Sequence, residues 1–339
     1  MSSGKGDLLR VEDLRITFQL QSGPLEVIKG INFRIKPGTV VAVVGESGSG
    51  KSVTAQATMG ILPAVGSVSA GRILFDDPAN DDAPVDIAAL DRNGPKMRNL
   101  RGGRIAMIFQ EPMTSLSPLH TIGNQIEEAL VLHQDVEKGE HRARTQEMLD
   151  LVGFPDPARA YDMYPFELSG GLRQRAMIAM ALSSNPKLLI ADEPTTALDV
   201  TIQAQVIDLM KDLVADFGMG IIFITHDLGV IAQTADKVAV MYLGNIVEQG
   251  LVRDVIRDPA HPYTRGLLDA LPSLDDLDAP LIPVPGDIPS PLERPEGCVF
   301  HTRCSLVEPR CRESIPQMTM FDNGHACACF VEVDKRGAA

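Results

Sequence analysis

Residues 45–52 read Gly-Glu-Ser-Gly-Ser-Gly-Lys-Ser and constrain the fold more than any other stretch of the chain. An apolar run, Val40-Val41-Ala42-Val43-Val44, precedes them, and a segment able to form a helix, Val53-Thr54-Ala55-Gln56-Ala57, follows. Strand, glycine-rich loop and helix, in that order, is the context in which G-x-x-x-x-G-K-S/T cradles phosphate. Glycines at 45, 48 and 50 let successive backbone N–H groups turn toward one anion. The helix N-terminus adds its dipole to the same point. In this reading Lys51 reaches the outer phosphates and the Ser52 hydroxyl ligates Mg2+. The nucleotide-binding set is Gly45, Glu46, Ser47, Gly48, Ser49, Gly50, Lys51, Ser52 and Val53.

The pattern around this loop predicts an alternating β/α chain with a mostly parallel sheet. Strands are expected over 8–18, 25–35, 39–44, 71–75, 104–109, 187–191, 220–225 and 237–242, where apolar residues alternate or run unbroken. Helices are expected over 121–133, 137–152, 171–184, 200–217 and 228–235. The helical stretch 111–184 reads as an insertion into the sheet domain. The core is then expected over 1–110 and 185–250, the helical subdomain over 111–184, and an extension over 251–339. That extension opens with a proline-rich, semi-rigid linker and ends in a tail that carries all five cysteines.

Three further stretches carry chemistry. Asp192-Glu193 closes an apolar strand, where one carboxylate can hold Mg2+ and the next can polarise an attacking water. Gln110, at the end of another strand, is placed to touch metal or water, and His226 to hydrogen-bond a terminal phosphate. Leu168-Ser169-Gly170-Gly171 opens a helix and forms a second anion site. A chain with one nucleotide loop has no use for a second site unless it faces a nucleotide held by another subunit.

Composition limits the function. With 45 acidic against 31 basic residues the net charge is −14, a poor match to nucleic acid. No run approaches the roughly 20 apolar residues of a membrane span, and the N-terminal residues do not resemble a signal peptide. The chain is therefore expected in the cytosol, reaching a membrane only through partners.

The motifs occur in the order GESGSGKS, IFQEP at Gln110, LSGG, LLIADEP, Ala197-Leu198-Asp199, and Ile224-Thr225-His226-Asp227. This order resembles the nucleotide-binding subunits of ABC transporters. The resemblance implies a P-loop NTPase cassette fold of class α/β, with a RecA-like core, an N-terminal β subdomain and an inserted helical subdomain. It implies that Phe18 stacks on adenine. It also implies that Lys51, Ser52, Gln110, Asp192, Glu193 and His226 serve the chain's own nucleotide, with Ser52, Gln110 and Asp192 around Mg2+. Glu193, His226 and Gln110 form the catalytic group. Ser169, Gly170, Gly171 and Asp199 would act across a dimer.

Leu172 stands where the family's signature continues with Gln. Leu172-Arg173-Gln174-Arg175, together with His261-Pro262-Tyr263-Thr264, resembles the oligopeptide/dipeptide importer branch. That branch implies a related but different partner ATPase, two integral-membrane permease subunits, an extracytoplasmic solute-binding protein, and a place on the cytoplasmic face of the inner membrane. Nickel, glutathione and sugar-like cargo remain alternatives within the branch. A non-transport ABC-type ATPase and an exporter ATPase are the competing functions.

Cys298, Cys304 and Cys311 are followed by Gly324-His325-Ala326-Cys327-Ala328-Cys329. Clustered thiols in a reducing compartment suggest metal ligation more than disulfides. The tail resembles the extension that in some peptide-importer ATPases holds a 4Fe-4S cluster. That implies Cys298, Cys304, Cys311 and Cys329 as ligands and Cys327 as an extra thiol. Zinc and plain buried thiols remain alternatives.

Overall fold

The computed structural model describes residues 6–78, 83–111, 115–195, 200–271 and 283–336. Two sheets organise it. In the first, β1 (Leu9–Leu20), β2 (Gly23–Ile35), β4 (Gly66–Phe75) and β5 (Val85–Asp86) pair antiparallel in the order β2-β1-β4-β5. The second contains β3 (Val40–Val44), β6 (Ile105–Ile108), β7 (Leu188–Asp192), β8 (Gly220–Thr225) and β9 (Lys237–Tyr242). They run parallel in the order β9-β3-β8-β7-β6.

Alternation along these parallel strands decides what each face packs. Val41, Val43, Leu188, Ile190, Ile222 and Ile224 point to one side. There they meet the antiparallel sheet and α1 (Lys51–Thr58) through Leu9, Ile16, Ile28 and Ala55. Leu189, Ala191, Ile221 and Phe223 point to the other side. Strands buried on both faces need no polar alternation, which is why β3, β7 and β8 read as unbroken apolar runs.

The helical region comprises α3 (Ile122–His133), α4 (His141–Leu151), α5 (Pro157–Asp162) and α6 (Gly170–Leu182); a short α2 (Pro95–Leu100) precedes β6. Thr121 caps α3 by accepting from Asn124 N–H, and Asp156 caps α5 by accepting from Arg159 N–H. Ile122, Ile126, Leu149, Ala176 and Ile178 belong to the same apolar cluster as Ala191 and Phe223. The helical region thus shares one continuous core with the second face of the sheet. α7 (Val200–Phe217) and α8 (Leu228–Thr234) complete the β/α alternation.

The C-terminal part departs most from expectation. Beyond β9 the chain makes β10 (Asn245–Leu251), α9 (Val252–Arg257) and α10 (Pro262–Asp269), none of which the sequence reading anticipated. Two short strands of the tail follow: β12 (Ala326–Cys327) pairs antiparallel with β10, and β11 (Thr319–Met320) pairs antiparallel with β12. They carry the main sheet to the order β11-β12-β10-β9-β3-β8-β7-β6. The tail is therefore built onto the main sheet. Much of the proline-rich linker, residues 272–282, lies outside the described residues.

Buried polar pairs hold this docking. Glu248 of β10, fully buried, accepts from the N–H groups of Ala260 and His261 at 2.7 and 2.8 Å and pairs with His325 Nε2 at 2.6 Å. Tyr242, Tyr263 and Phe300 pack ring against ring, with centroids 4.7 to 5.4 Å apart. Each such contact contributes roughly 0.5–1.5 kcal/mol beyond the area it buries.

Candidate nucleotide site

The phosphate loop leaves the C-terminal end of β3 and enters α1 at Lys51. Gly45 has φ +150°, and a Cβ there would stand 2.1 Å from the Met241 carbonyl oxygen. Gly50 has φ +105°, and its Cβ would meet the Ile28 side chain at 2.4 Å. These two glycines let the loop lie flat against β9 and β2. From below, Gly244 N–H donates to Ser49 O at 2.9 Å.

Lys51 is buried, and its Nζ donates to Gly45 O at 2.7 Å and Glu46 O at 3.1 Å. Burial lowers its pKa from the ordinary lysine value, while Glu193, Asp192 and Glu46 oppose the shift. Asp192, at the end of β7, is also buried. Burial raises its pKa, and a hydrogen bond from Ser52 works against that rise. Asp192 Oδ1 is buried without a hydrogen-bond partner, as is Ser49 Oγ. The Ser52 hydroxyl and the orphaned Asp192 carboxylate oxygen are hard oxygen donors of the kind that fits Mg2+.

Glu193 follows in the left-handed region, at φ +47°. That conformation costs about 1–2 kcal/mol for a residue with a Cβ, and the Glu193 N–H bond to Ile224 O at 2.9 Å helps hold it. The turn aims the carboxylate between two of the expected partners. Gln110 Nε2 donates to Glu193 Oε2 at 3.0 Å, and His226 Nδ1 lies 3.3 Å from Glu193 Oε1. Lys51, Ser52, Gln110, Asp192, Glu193 and His226 are thus joined by direct contacts or mutual charge effects at the ends of neighbouring strands. An acidic side chain held beside an amide, an imidazole and a metal-binding pair can orient and deprotonate water.

Phe18 lies on β1, opposite Gly66, and its ring would be 3.2 Å from a Cβ at that glycine. Ser169 caps α6 by accepting from Leu172 N–H at 3.4 Å. Gly171 packs close to Ile202, whereas a Cβ added to Gly170 would meet nothing within 4 Å. Leu172 is partly buried against the apolar cluster of the helical region, which accounts for an apolar side chain at that position. Asp199, with Ala197 and Leu198, lies outside the described residues.

Four of the five cysteines converge. Cys298, Cys304, Cys311 and Cys329 line one small enclosed cavity together with apolar walls such as Phe300, Leu306 and Phe330. Burial pushes the Cys298 thiol up to about 11, and the neighbouring thiols Cys311, Cys304 and Cys329 add to the shift. Cys327 does not line the cavity. It is fully buried in β12, where burial and then Glu248 push its pKa far up. Among the described residues, no three His, Cys, Asp or Glu side chains stand close enough to share one metal ion. A single zinc would need its thiolates about 2.3 Å away. A sulfide-bridged group of several irons takes one thiolate per iron and does not ask four thiolates to meet at one ion, and four soft donors around an enclosed apolar space are of the kind it uses.

Two residues that the sequence reading left without a role touch the phosphate loop directly. Tyr263 hydroxyl accepts from Glu46 N–H at 2.8 Å, and Arg303 forms a two-pronged pair with the Glu46 carboxylate at 2.7 and 3.1 Å. The His-Pro-Tyr-Thr stretch gave a hint of the first. Nothing local in the sequence signals the second.

Residues 28–196 match the ABC transporter family, and residues 247–311 match the C-terminal region of oligopeptide/dipeptide transporters. A putative peptide import ATP-binding protein of Brucella ovis is 46% identical over 330 residues, covering 95% of this chain and 96% of that protein. The dipeptide transport ATP-binding protein DppD of Escherichia coli is 44% identical, covering 97% and 98%. The oligopeptide transport ATP-binding protein AppD of Bacillus subtilis is 45% identical, covering 96% of each. Among solved structures, the dimeric ATP-binding cassette MJ0796 bound to ADP and Pi superposes with a TM-score of 0.63 at 26% identity. That match covers 72% of this chain and 99% of the cassette.

Proposed function

The chain belongs to the ABC transporter family of ATP-binding subunits, in its oligopeptide/dipeptide branch, and from that premise we propose how its residues serve two nucleotides. It is the ATP-hydrolysing subunit of a peptide importer. Lys51 and the backbone of residues 45–53 hold the phosphates of its own ATP, and Phe18 stacks on the adenine. Ser52, Asp192 and Gln110 would hold Mg2+, which when bound neutralises phosphate charge. Glu193 takes a proton from the attacking water, and His226 hydrogen-bonds the terminal phosphate. The observation that carries this reading is the Glu193 carboxylate held between Gln110 and His226.

Ser169, Gly170, Gly171 and Asp199 act on the nucleotide of a partner cassette. Gly170 supports this: a Cβ there would meet nothing within 4 Å among the described residues, so that spot of the helix start is open to a partner. The partner is a related but different ATPase, giving a heterodimer. Two integral-membrane permeases dock on the pair at the cytoplasmic face of the inner membrane, and an extracytoplasmic binding protein delivers peptide. Among the described residues no helix is long and apolar enough to cross a membrane, so the pore falls to other chains in this reading. Copurification with the permeases and a second ATPase tests this assembly. Recovery of the chain as a homodimer with no membrane partner overturns it.

Cys298, Cys304, Cys311 and Cys329 hold a 4Fe-4S cluster, and Cys327 stays a thiol. The four-thiol cavity supports this. Protein purified without oxygen is expected to be brown and to contain iron and sulfide; colourless protein with zinc or no metal refutes it.

A further inference from the structure

The phosphate loop is held from outside by the C-terminal region. Glu46, its second residue, is gripped twice. Its N–H donates to the Tyr263 hydroxyl at 2.8 Å. The carboxylate lies in the fork of Arg303, with Nη1–Oε2 at 2.7 Å and Nη2–Oε1 at 3.1 Å. Paired parallel bonds of this kind fix direction as well as distance.

Neither partner is free to follow the loop. The Arg303 side chain is only 3% exposed. Its Nε donates to Pro285 O at 2.9 Å and its Nη2 to Val284 O at 3.2 Å, with Tyr242 hydroxyl 3.4 Å from Nη1. Tyr263 is fully buried between Tyr242 and Phe300. The Glu46 carbonyl is one of the two that receive Lys51 Nζ. A loop displaced at Glu46 therefore displaces the lysine that faces the phosphates.

We propose that Tyr263 and Arg303 are positioning residues for ATP binding, through which the C-terminal region sets the shape of the phosphate loop. This rests on the reading that residues 45–52 hold the phosphates. Arg303 lies in the turn between Cys298 and Cys304, next to the thiol cavity. Its own position is therefore set by how that turn folds, and the turn and the loop answer to one another through a single side chain.

The test is MgADP affinity of the full-length chain, measured by isothermal titration. Tyr263→Phe keeps the ring packing and removes only the hydroxyl. It is expected to raise Kd about three- to tenfold, the size of the net contribution of one ordinary hydrogen bond. Arg303→Met and Glu46→Gln are each expected to raise Kd by a similar factor. The double variant should be no worse than the weaker binder of the two, and Arg303→Lys should recover part of the loss. Lys51→Ala is the control on the underlying reading and should weaken binding in every background. Wild-type affinity in Tyr263→Phe and Arg303→Met, with Lys51→Ala still defective, overturns the proposal alone. Fully additive effects of Arg303→Met and Glu46→Gln also overturn it, because the pair then does not act as a unit. Undiminished binding by Lys51→Ala removes the reading on which the proposal stands.

Discussion

Glu193→Gln separates the chemistry of the site from its architecture. The carboxylate contacts Gln110 Nε2 at 3.0 Å and His226 Nδ1 at 3.3 Å. A glutamine has the same shape. Turned one way, its amide oxygen accepts from Gln110 and its NH2 donates to the imidazole, so neither contact is lost. What disappears is the negative charge and the ability to take a proton. A positioned general base contributes about 10²- to 10⁴-fold to rate, equivalent to roughly 3–5 kcal/mol of barrier. Binding should respond differently. Glu193 is the largest of the charges opposing the fall in the Lys51 pKa, so the variant loses one anion beside the lysine. Incoming phosphates replace that anion, and one repulsive charge fewer faces them. MgATP affinity should therefore hold or tighten. The assay is single-turnover hydrolysis of MgATP alongside nucleotide titration on the same preparation. The expected result is a fall of about 10²- to 10⁴-fold in the hydrolytic step with no loss of affinity. Turnover close to wild type refutes the base assignment. A parallel loss of binding refutes the claim that the amide preserves the site.

Other substitutions probe the scaffold. Gly45→Ala places a Cβ against the Met241 carbonyl at φ +150° and should destabilise the chain by about 1–3 kcal/mol in urea unfolding; an unchanged midpoint would contradict the close approach of loop and β9. Gly170→Ala adds a methyl to open space, so unfolding of the chain should shift by less than about 0.5 kcal/mol. Hydrolysis by the assembled complex should fall by about a hundredfold if that surface meets the partner's nucleotide; full activity there removes Gly170 from the shared site. Tyr161 donates to Glu127, and burial, then that bond, push its phenol up to about 12 from 10.0. The unfolded chain ionises this tyrosine first, so stability should decline as pH rises from 10 toward 12. Tyr161→Phe should reduce that decline in urea titrations at pH 9 and 11, and an identical slope would count against the bond.

Much of the architecture and the nucleotide site was legible because the relevant signals are local. Strand 39–44 and the glycines after it lie in one short stretch, and β3 with its loop forms there. Gln110, Asp192, Glu193 and His226 each end a strand, and parallel pairing brings strand ends together. The C-terminal part was not legible in the same way. β10 has only seven residues, two of them Glu248 and Gln249, and the tail strands β12 and β11 that extend the sheet beyond it have two residues each. Nothing in such short runs announces a sheet edge. Glu46 and Arg303 are 257 residues apart, and their pairing exists only because the tail folds back over the catalytic sheet. The cysteines illustrate both cases. Their clustering was visible, whereas the exclusion of Cys327 from the cavity depends on β12 pairing with β10.

The central claim is that ATP hydrolysis at this site drives peptide uptake through partner subunits. The direct test is uptake of a labelled peptide by proteoliposomes containing the copurified complex, with the binding protein outside and MgATP within. The account predicts accumulation that needs both ATP and binding protein and is lost in Glu193→Gln. Accumulation that persists in that variant, or hydrolysis that proceeds at full rate with no peptide ever moved, would contradict it.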